Sequence, residues 1–416
     1  MTEPDSGIAA GAVATRSPFR HRSFRLFWTS RFFATFATEV VSVAVGWQVY
    51  ALTHSPFDLG LVGLVQFAPA LILVLLTGHV SDRFNRRAIV ALGQAAEALV
   101  AVAILVLSLT GLITVTWIFL LLFVFGVARA FMNPAASSLL PNLVPIEDLA
   151  GAVALSSSSW QVANILGPVA GGLLYGLSSG LAYAVAFVLF AAAAAFVSLV
   201  PRPAQKTAAE PPTWSSVIAG FHYVWRDKVV LGAISLDLFA VLLGGATALL
   251  PAYASDILAV GPWGLGALRS ATGIGAVSMA LFLAARPVED HAGVLMFIAV
   301  ACFGVFTVIF GLSTVVWLSA LALALAGAAD TISVYVRSTL IQLWTPDSLR
   351  GRVNAVNDVF VGASNELGEF RAGTMAALIG VVPAVVAGGI GTLAIAGLWA
   401  WWFPGIRRVR HLRGRD

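Results

Sequence analysis

The chain is short of charge. Of its 416 residues only 11% are Asp, Glu, Lys or Arg, against about 25% in an ordinary soluble domain. A soluble fold of this length could not cover its core with so few. Cysteine is scarcer still: Cys302 stands alone in an apolar run, which excludes a disulfide framework and a thiolate metal cluster. The two lysines, Lys206 and Lys228, follow no G-x-x-x-x-G run. A nucleotide-binding P-loop is therefore excluded, and uphill work would draw on an ion gradient or another chain. Residues 1–20 are mostly small and polar and lack an apolar stretch, so no cleavable signal peptide is expected. His54, His79, His222, His291 and His411 fall in or near loops, tails or a linker. With no nucleophile–base pair and no ligand cluster, neither an enzyme, a metal site nor a cofactor is expected.

Apolar length is abundant. Hydrophobic residues make up 59% of the chain and the mean hydropathy is +0.92. One crossing takes about 20 apolar residues, and twelve such runs can be read, near 27–51, 58–79, 88–109, 115–137, 152–177, 182–200, 229–253, 263–285, 293–311, 316–340, 353–378 and 384–403. No alternating strand pattern competes. The sequence predicts an all-α integral membrane protein with twelve transmembrane helices.

The net charge of +4 is a signal of topology rather than of nucleic-acid binding. Nineteen of the 24 Lys and Arg fall before the first span, in 80–87, in 201–228, at Arg286, Arg350 and Arg352, and after 404. The other five, Arg31, Arg129, Arg269, Arg337 and Arg371, lie within spans. The positive-inside rule then puts both termini and the 201–228 segment in the cytoplasm. That segment opens with Pro201-Arg-Pro203 and ends with Trp214, Val217, Ile218, Phe221, Val224 and Trp225 at helical spacing, a short helix expected on the membrane surface. The expected organisation is a tail at 1–25, a six-helix half at 26–200, the linker at 201–228, a second half at 229–404 and a basic tail at 405–416.

The halves repeat. At an offset of 201, Gly126 falls on Gly327, Ser137 on Ser338, Pro145 on Pro346, and Gly167 and Gly172 on Gly368 and Gly373, while Leu149 to Gly151 match Leu349 to Gly351 after a slip of one. Two copies in the same orientation imply an axis along the membrane normal, with a binding site between them near midplane.

The turn after the second span reads Gly78-His-Val-Ser-Asp82-Arg83-Phe-Asn85-Arg86-Arg87. It is a tight two-helix turn in which Asn85 can adopt a left-handed conformation and Asp82 can cap a helix or pair with an arginine, latching one half to the other. Here the chain resembles the major facilitator superfamily: Gly78, Asp82, Arg83, Arg86 and Arg87 fill its G-x-x-x-D-R-x-x-R-R signature, with Asn85 in place of the usual glycine. Gly167-Pro168-Val-Ala-Gly171-Gly172 resembles the G-P-x-x-G-G motif of the superfamily's exporters. Asn133-Pro-Ala135, Leu140-Pro-Asn142, Leu349-Arg-Gly-Arg352 and Asn365-Glu-Leu-Gly-Glu369 are similar to the branch that contains enterobactin exporters, the transmembrane secretion effectors. The resemblance spans about residues 24–404. It implies two pseudo-symmetric six-helix halves, alternating access, and a cavity lined by helices 1, 4, 7 and 10.

Carried onto this chain, those cavity helices hold Arg31 and Glu39, Arg129, Asp237, and Asp330 with Arg337. Charges within a bilayer are costly and tend to mark function. Arg31, Thr35, Thr38 and Ser42 share one face of span one with Glu39 at its edge, and Glu39 is the first candidate proton site. Arg129 and Asp330 are repeat equivalents and candidates for a charge pair across the halves; Arg337 could instead hold Asp330. Span eleven carries Asn354, Asp358, Asn365 and Glu369 on one face with Glu366 beside it. The resemblance puts that helix on the rim, where Asp358 would latch to the 78–87 turn. Glu97 and Arg269 read as structural. The expected activity is proton-coupled export of an amphipathic small molecule such as a siderophore, by a monomer; broad drug efflux is the alternative and a non-transporting receptor or assembly subunit the remote one.

Overall fold

The computed structural model describes residues 17–202, 221–288 and 290–409, except for the side chains of Leu75, Asp82, Asp347 and Ser348. It is 89% helical and, among the described residues, contains no strand. Twelve long helices follow one another: α1 (Arg22–Thr53), α2 (Pro56–Arg83), α3 (Arg86–Leu109), α4 (Val115–Leu139), α5 (Ile146–Leu177), α6 (Ser179–Ser198), α7 (Lys228–Gly244), α8 (Gly261–Ala285), α9 (Ala292–Leu312), α10 (Val316–Trp344), α11 (Asp347–Ile379) and α12 (Val381–Trp402). Ten are long and apolar enough to cross a membrane. The other two, α5 and α11, have the length at 32 and 33 residues but carry polar and charged stretches.

The helix starts follow from local chemistry. Ser55 accepts from the Asp58 amide with Pro56 in the first turn, Thr114 accepts from Trp117, and Asp227 accepts from Val229 and Val230, each satisfying amides that a helix start leaves open. Asn85 is extended rather than left-handed (φ −64°) because its side chain caps α3 through the Arg87 amide. The repeat-related Pro145 and Pro346 stand at the N-caps of α5 and α11. Helix α1 starts before the expected span because Phe24 is buried and His21 bonds Asp148 of α5 at 2.8 Å.

Short turns make consecutive helices alternate in direction, so the chain ends lie at one end of the bundle, termed the terminal end. In the first half α1 packs on α5 and α6, α2 on α4, and α3 on α4 and α6; in the second, α7 packs on α11 and α12, α8 on α10, and α9 on α10 and α12. Adding six to each helix number turns one set into the other. The main contacts between halves, α2 with α11 and α5 with α8, exchange under the same operation.

The repeated glycines explain this symmetry. A Cβ at Gly126 would overlap the Gln66 carbonyl of α2, and one at Gly327 the Thr272 carbonyl of α8. Gly167 lies against Glu39 of α1 and Gly368 against Leu242 of α7; Gly172 meets Gly266 of α8 and Gly373 meets Gly60 of α2. Absence of a side chain lets the backbones approach at each crossing.

Helix α7 departs from the continuous span expected to residue 253. It stops at Gly244-Gly245 and proceeds through a 3₁₀ turn at Thr247–Leu249, one turn at Leu250–Ala252 and a π turn at Tyr253–Ile257. The Arg371 guanidinium of α11 donates to the Leu243 carbonyl at this break. Interrupted helices of this kind occur in membranes where they border a cavity.

Of the expected surface helix in the linker, Trp214, Val217 and Ile218 lie outside the described residues. Residues 221–226 are helical, with Phe221 and Trp225 exposed. They also dock on the second half: Val224 is buried beside Ile341 and Val353, and the Tyr223 hydroxyl donates to the Trp344 carbonyl at 2.8 Å.

Candidate transport cavity

Among the described residues the halves are sealed toward the far end, opposite the termini. Residues 56–67 of α2 meet 362–373 of α11, and residues 165–172 of α5 meet 262–273 of α8. Beyond them the Tyr50 hydroxyl of α1 donates to Asp256 in the π turn. Toward the terminal end the helices part, and a Cβ at Gly78 or Gly351 would meet nothing within 4 Å.

A cavity of about 560 Å³ occupies the opening. It is lined by Ser42 and Gly46 of α1, Gln66 to Gly78 of α2, Arg129 and Asn133 of α4, the 247–251 segment, Arg269 of α8, and Glu366 and Glu369 of α11. The superfamily resemblance sets α11 on the rim, yet its two glutamates line the cavity because Gly63 of α2 has no side chain to keep them out. Arg269 donates to Ser42 Oγ at 2.8 Å and lies within electrostatic reach of Glu39, Glu366 and Glu369. The structure thus moves Arg269 from the structural set into the cavity. The signal in the sequence was Gly266, Ser270 and Gly273, a stripe of small residues marking the α8 face that meets α5.

Glu39 lies against Gly167 behind this wall, within reach of Arg269 and Arg129. The polar stripe of α1 faces inward: Ser42 lines this cavity, while Arg31 and Thr35 line a second one of about 650 Å³ among α1, α4 and α5. Arg129 and Asn133 border both. Glu97 of α3, read as structural, is 1% exposed, and neither carboxyl oxygen has a hydrogen-bond partner. Arg31 and Arg129 approach it without a salt bridge.

In the second half Arg337 forms an ion pair with Asp237 of α7, rather than with Asp330 on its own helix. Both members are buried, and neither borders the two cavities. Arg129 and Asp330 form no ion pair with each other in this conformation. On α11, Asn365 and Asp358 are exposed while Glu369 lines the cavity and Asn354 is half-buried away from both cavities, so the four polar residues expected on one face do not stay together.

At the 78–87 turn, Gly78 borders the first cavity. Arg86 donates to the carbonyls of Ser81 and Ser138, and Arg87 to that of Val200. These two arginines therefore tie α2 and α3 to the ends of α4 and α6 within one half. Arg83 is exposed. Among the described residues no ion pair joins this turn to Asp358. The exporter-type motif is a packing device: Gly167, Pro168, Gly171 and Gly172 are buried, Gly171 lies on Val40, and a Cβ at Gly266 would overlap the Pro168 carbonyl.

A cavity holding charged side chains from two symmetry-related six-helix halves, open at one end and sealed at the other, defines a multi-pass membrane transporter rather than an enzyme. The chain belongs to the transmembrane secretion effector family of the major facilitator superfamily, whose model matches residues 13–404. Among curated relatives, the enterobactin exporter EntS of Shigella boydii serotype 18 (strain CDC 3083-94 / BS512) is 25% identical over 396 residues, covering 94% of each chain. EntS of Escherichia coli O81 (strain ED1a) matches to the same extent. The same fold occurs in a bacterial homologue of the human lysosomal transporter Spinster, solved inward-facing and occupied, with a TM-score of 0.74 at 14% identity over 94% of this chain and 99% of that one. It also occurs in the nucleoside transporter NupG, with a TM-score of 0.68 at 15% identity over 93% and 99%.

Proposed function

We propose that the protein is a secondary exporter that moves an amphipathic small molecule out of the cell in exchange for protons, with a catecholate siderophore of the enterobactin type as cargo. The observation that carries this reading is the meeting of Arg129 from one half with Arg269, Glu366 and Glu369 from the other, in one cavity below the seal. Carboxyls there can hold protons while the arginines engage cargo, and each changes its neighbours when the halves rock. The names of the curated relatives support the direction and the cargo.

The distribution of basic residues makes the terminal end cytoplasmic, so the conformation is inward-facing and the termini lie inside. Glu366 and Glu369 take the principal proton role and Glu39 an auxiliary one. Asp358 latches to the 78–87 turn only when the cytoplasmic end closes, and a single chain contains the whole pathway.

The test is purified protein in liposomes with an imposed pH gradient and an internal pH-sensitive dye. Proton flux on adding enterobactin, lost in Glu366→Gln or Glu369→Gln, is expected. Flux with many unrelated amphipathic drugs would favour broad efflux, and no flux with any cargo would overturn proton exchange.

A further inference from the structure

The second cavity differs from the first in its charge. Among the described residues it is lined by the first half alone, by Arg31 of α1, Arg129 of α4, and Ser156, Ser157, Trp160 and Gln161 of α5 among others, and that lining includes no acidic side chain. The first cavity sets Glu366 and Glu369 against its arginines. Neither Arg31 nor Arg129 makes a hydrogen bond or salt bridge with a described residue; Arg129 only approaches the Phe125 ring, at 6.0 Å. The Ser156 hydroxyl is buried without a partner. One carboxyl, Glu97, lies within reach of both guanidiniums, and Glu39 and Glu366 lie within reach of Arg129, but none of the three lines the pocket.

The geometry points to this pocket as a binding subsite for an organic anion, one bearing carboxylate or phenolate oxygens on a flat ring. Guanidiniums bind such oxygens with charge-assisted hydrogen bonds, the serines supply further donors, and the indole of Trp160 offers a face for a ring. The pocket lies toward the terminal end and shares Arg129 with the first cavity. An anion held here is one side chain away from the site between the halves, so the pocket serves as the first recognition point on the way in. This deepens the export reading and rests on it for the direction of travel, but the binding itself needs no gradient.

Binding is tested by calorimetry on the whole protein in nanodiscs of phosphatidylcholine, titrated with 2,3-dihydroxybenzoate and with its uncharged amide. The acid is expected to bind about tenfold tighter than the amide, the size of a charge-assisted contact. Arg31→Gln should erase that preference, Arg31→Lys should restore most of it, and Arg408→Gln, exposed beyond α12 and bordering neither cavity, should leave it. Ser156→Ala weakens the acid alone and serves if Arg31→Gln does not fold. Equal affinity for acid and amide, or a preference that survives Arg31→Gln, overturns the proposal. Acid affinity that falls as phosphatidylglycerol is added would assign the pocket to lipid headgroups and overturn it as well. Absence of proton flux in liposomes would defeat the exchange mechanism and leave this subsite standing.

Discussion

Arg337 of α10 and Asp237 of α7 form a buried ion pair, 4% and 5% exposed, that joins two helices of the second half away from both cavities. Removing one partner strands the other charge, which costs about 3–5 kcal/mol at buried sites. Arg337→Met or Asp237→Leu should therefore lower the thermal unfolding midpoint in detergent sharply. The double variant should recover most of the loss, since a well-packed apolar pair replaces an ion pair at little cost.

The crossings at Gly172 and Gly373 hold the far end shut. A Cβ at Gly373 would overlap Pro56 and Gly60, and one at Gly172 would press on Pro262 and Gly266. Gly172→Leu and Gly373→Leu should each widen the distance between spin labels on the far ends of α5 and α8 or of α2 and α11, and abolish transport. Gly397→Leu, where nothing lies within 4 Å, should do neither.

Tyr50 and Asp256 form one of the hydrogen bonds that tether the halves, the one nearest the far end. Tyr50→Phe keeps the ring and removes the donor, a loss of about 1 kcal/mol for one hydrogen bond. That corresponds to roughly a fivefold shift toward the far-end-open state. In a Cys302→Ser background, Ser42→Cys should react several times faster with an impermeant maleimide applied from the far side once Tyr50→Phe is added.

The acids in and behind the cavity wall separate by experiment. Glu366→Gln or Glu369→Gln should cut cargo-driven proton flux at least about tenfold, the scale of a lost general acid–base group. Glu39→Gln, set back beside Gly167, should reduce it less. Glu97→Gln should leave flux measurable and change the affinity for anionic cargo, because Glu97 faces Arg31 and Arg129 rather than the first cavity.

Much of the architecture is legible in the amino-acid sequence. The offset of 201 between Gly167-Gly172 and Gly368-Gly373 marks glycines that make equivalent crossings in the two halves. The stripe of Arg31, Thr35 and Ser42 marks the inward face of α1. Such signals survive because a bilayer makes every polar or missing side chain expensive or useful. Partnerships were not legible. Arg337 has an acid seven residues before it on its own helix and pairs instead with Asp237 on another. Arg269 and Glu97 stood alone in their spans and looked structural, though one reaches the cavity and the other faces its arginines.

By itself, then, the sequence determined that the chain is a helical membrane protein, that its halves are copies, and that the polar stripe of α1 turns inward. Apolar length, charge placement and helical period are properties of single segments, and they need no neighbour to be read. Only the tertiary structure decided which charges meet, that α7 breaks at Gly244, that α11 sends two glutamates into the cavity, and which end stands open. Those outcomes depend on the depth and rotation at which one helix meets the next. Side chains without atoms, the glycines above all, set that depth, and no segment carries it alone.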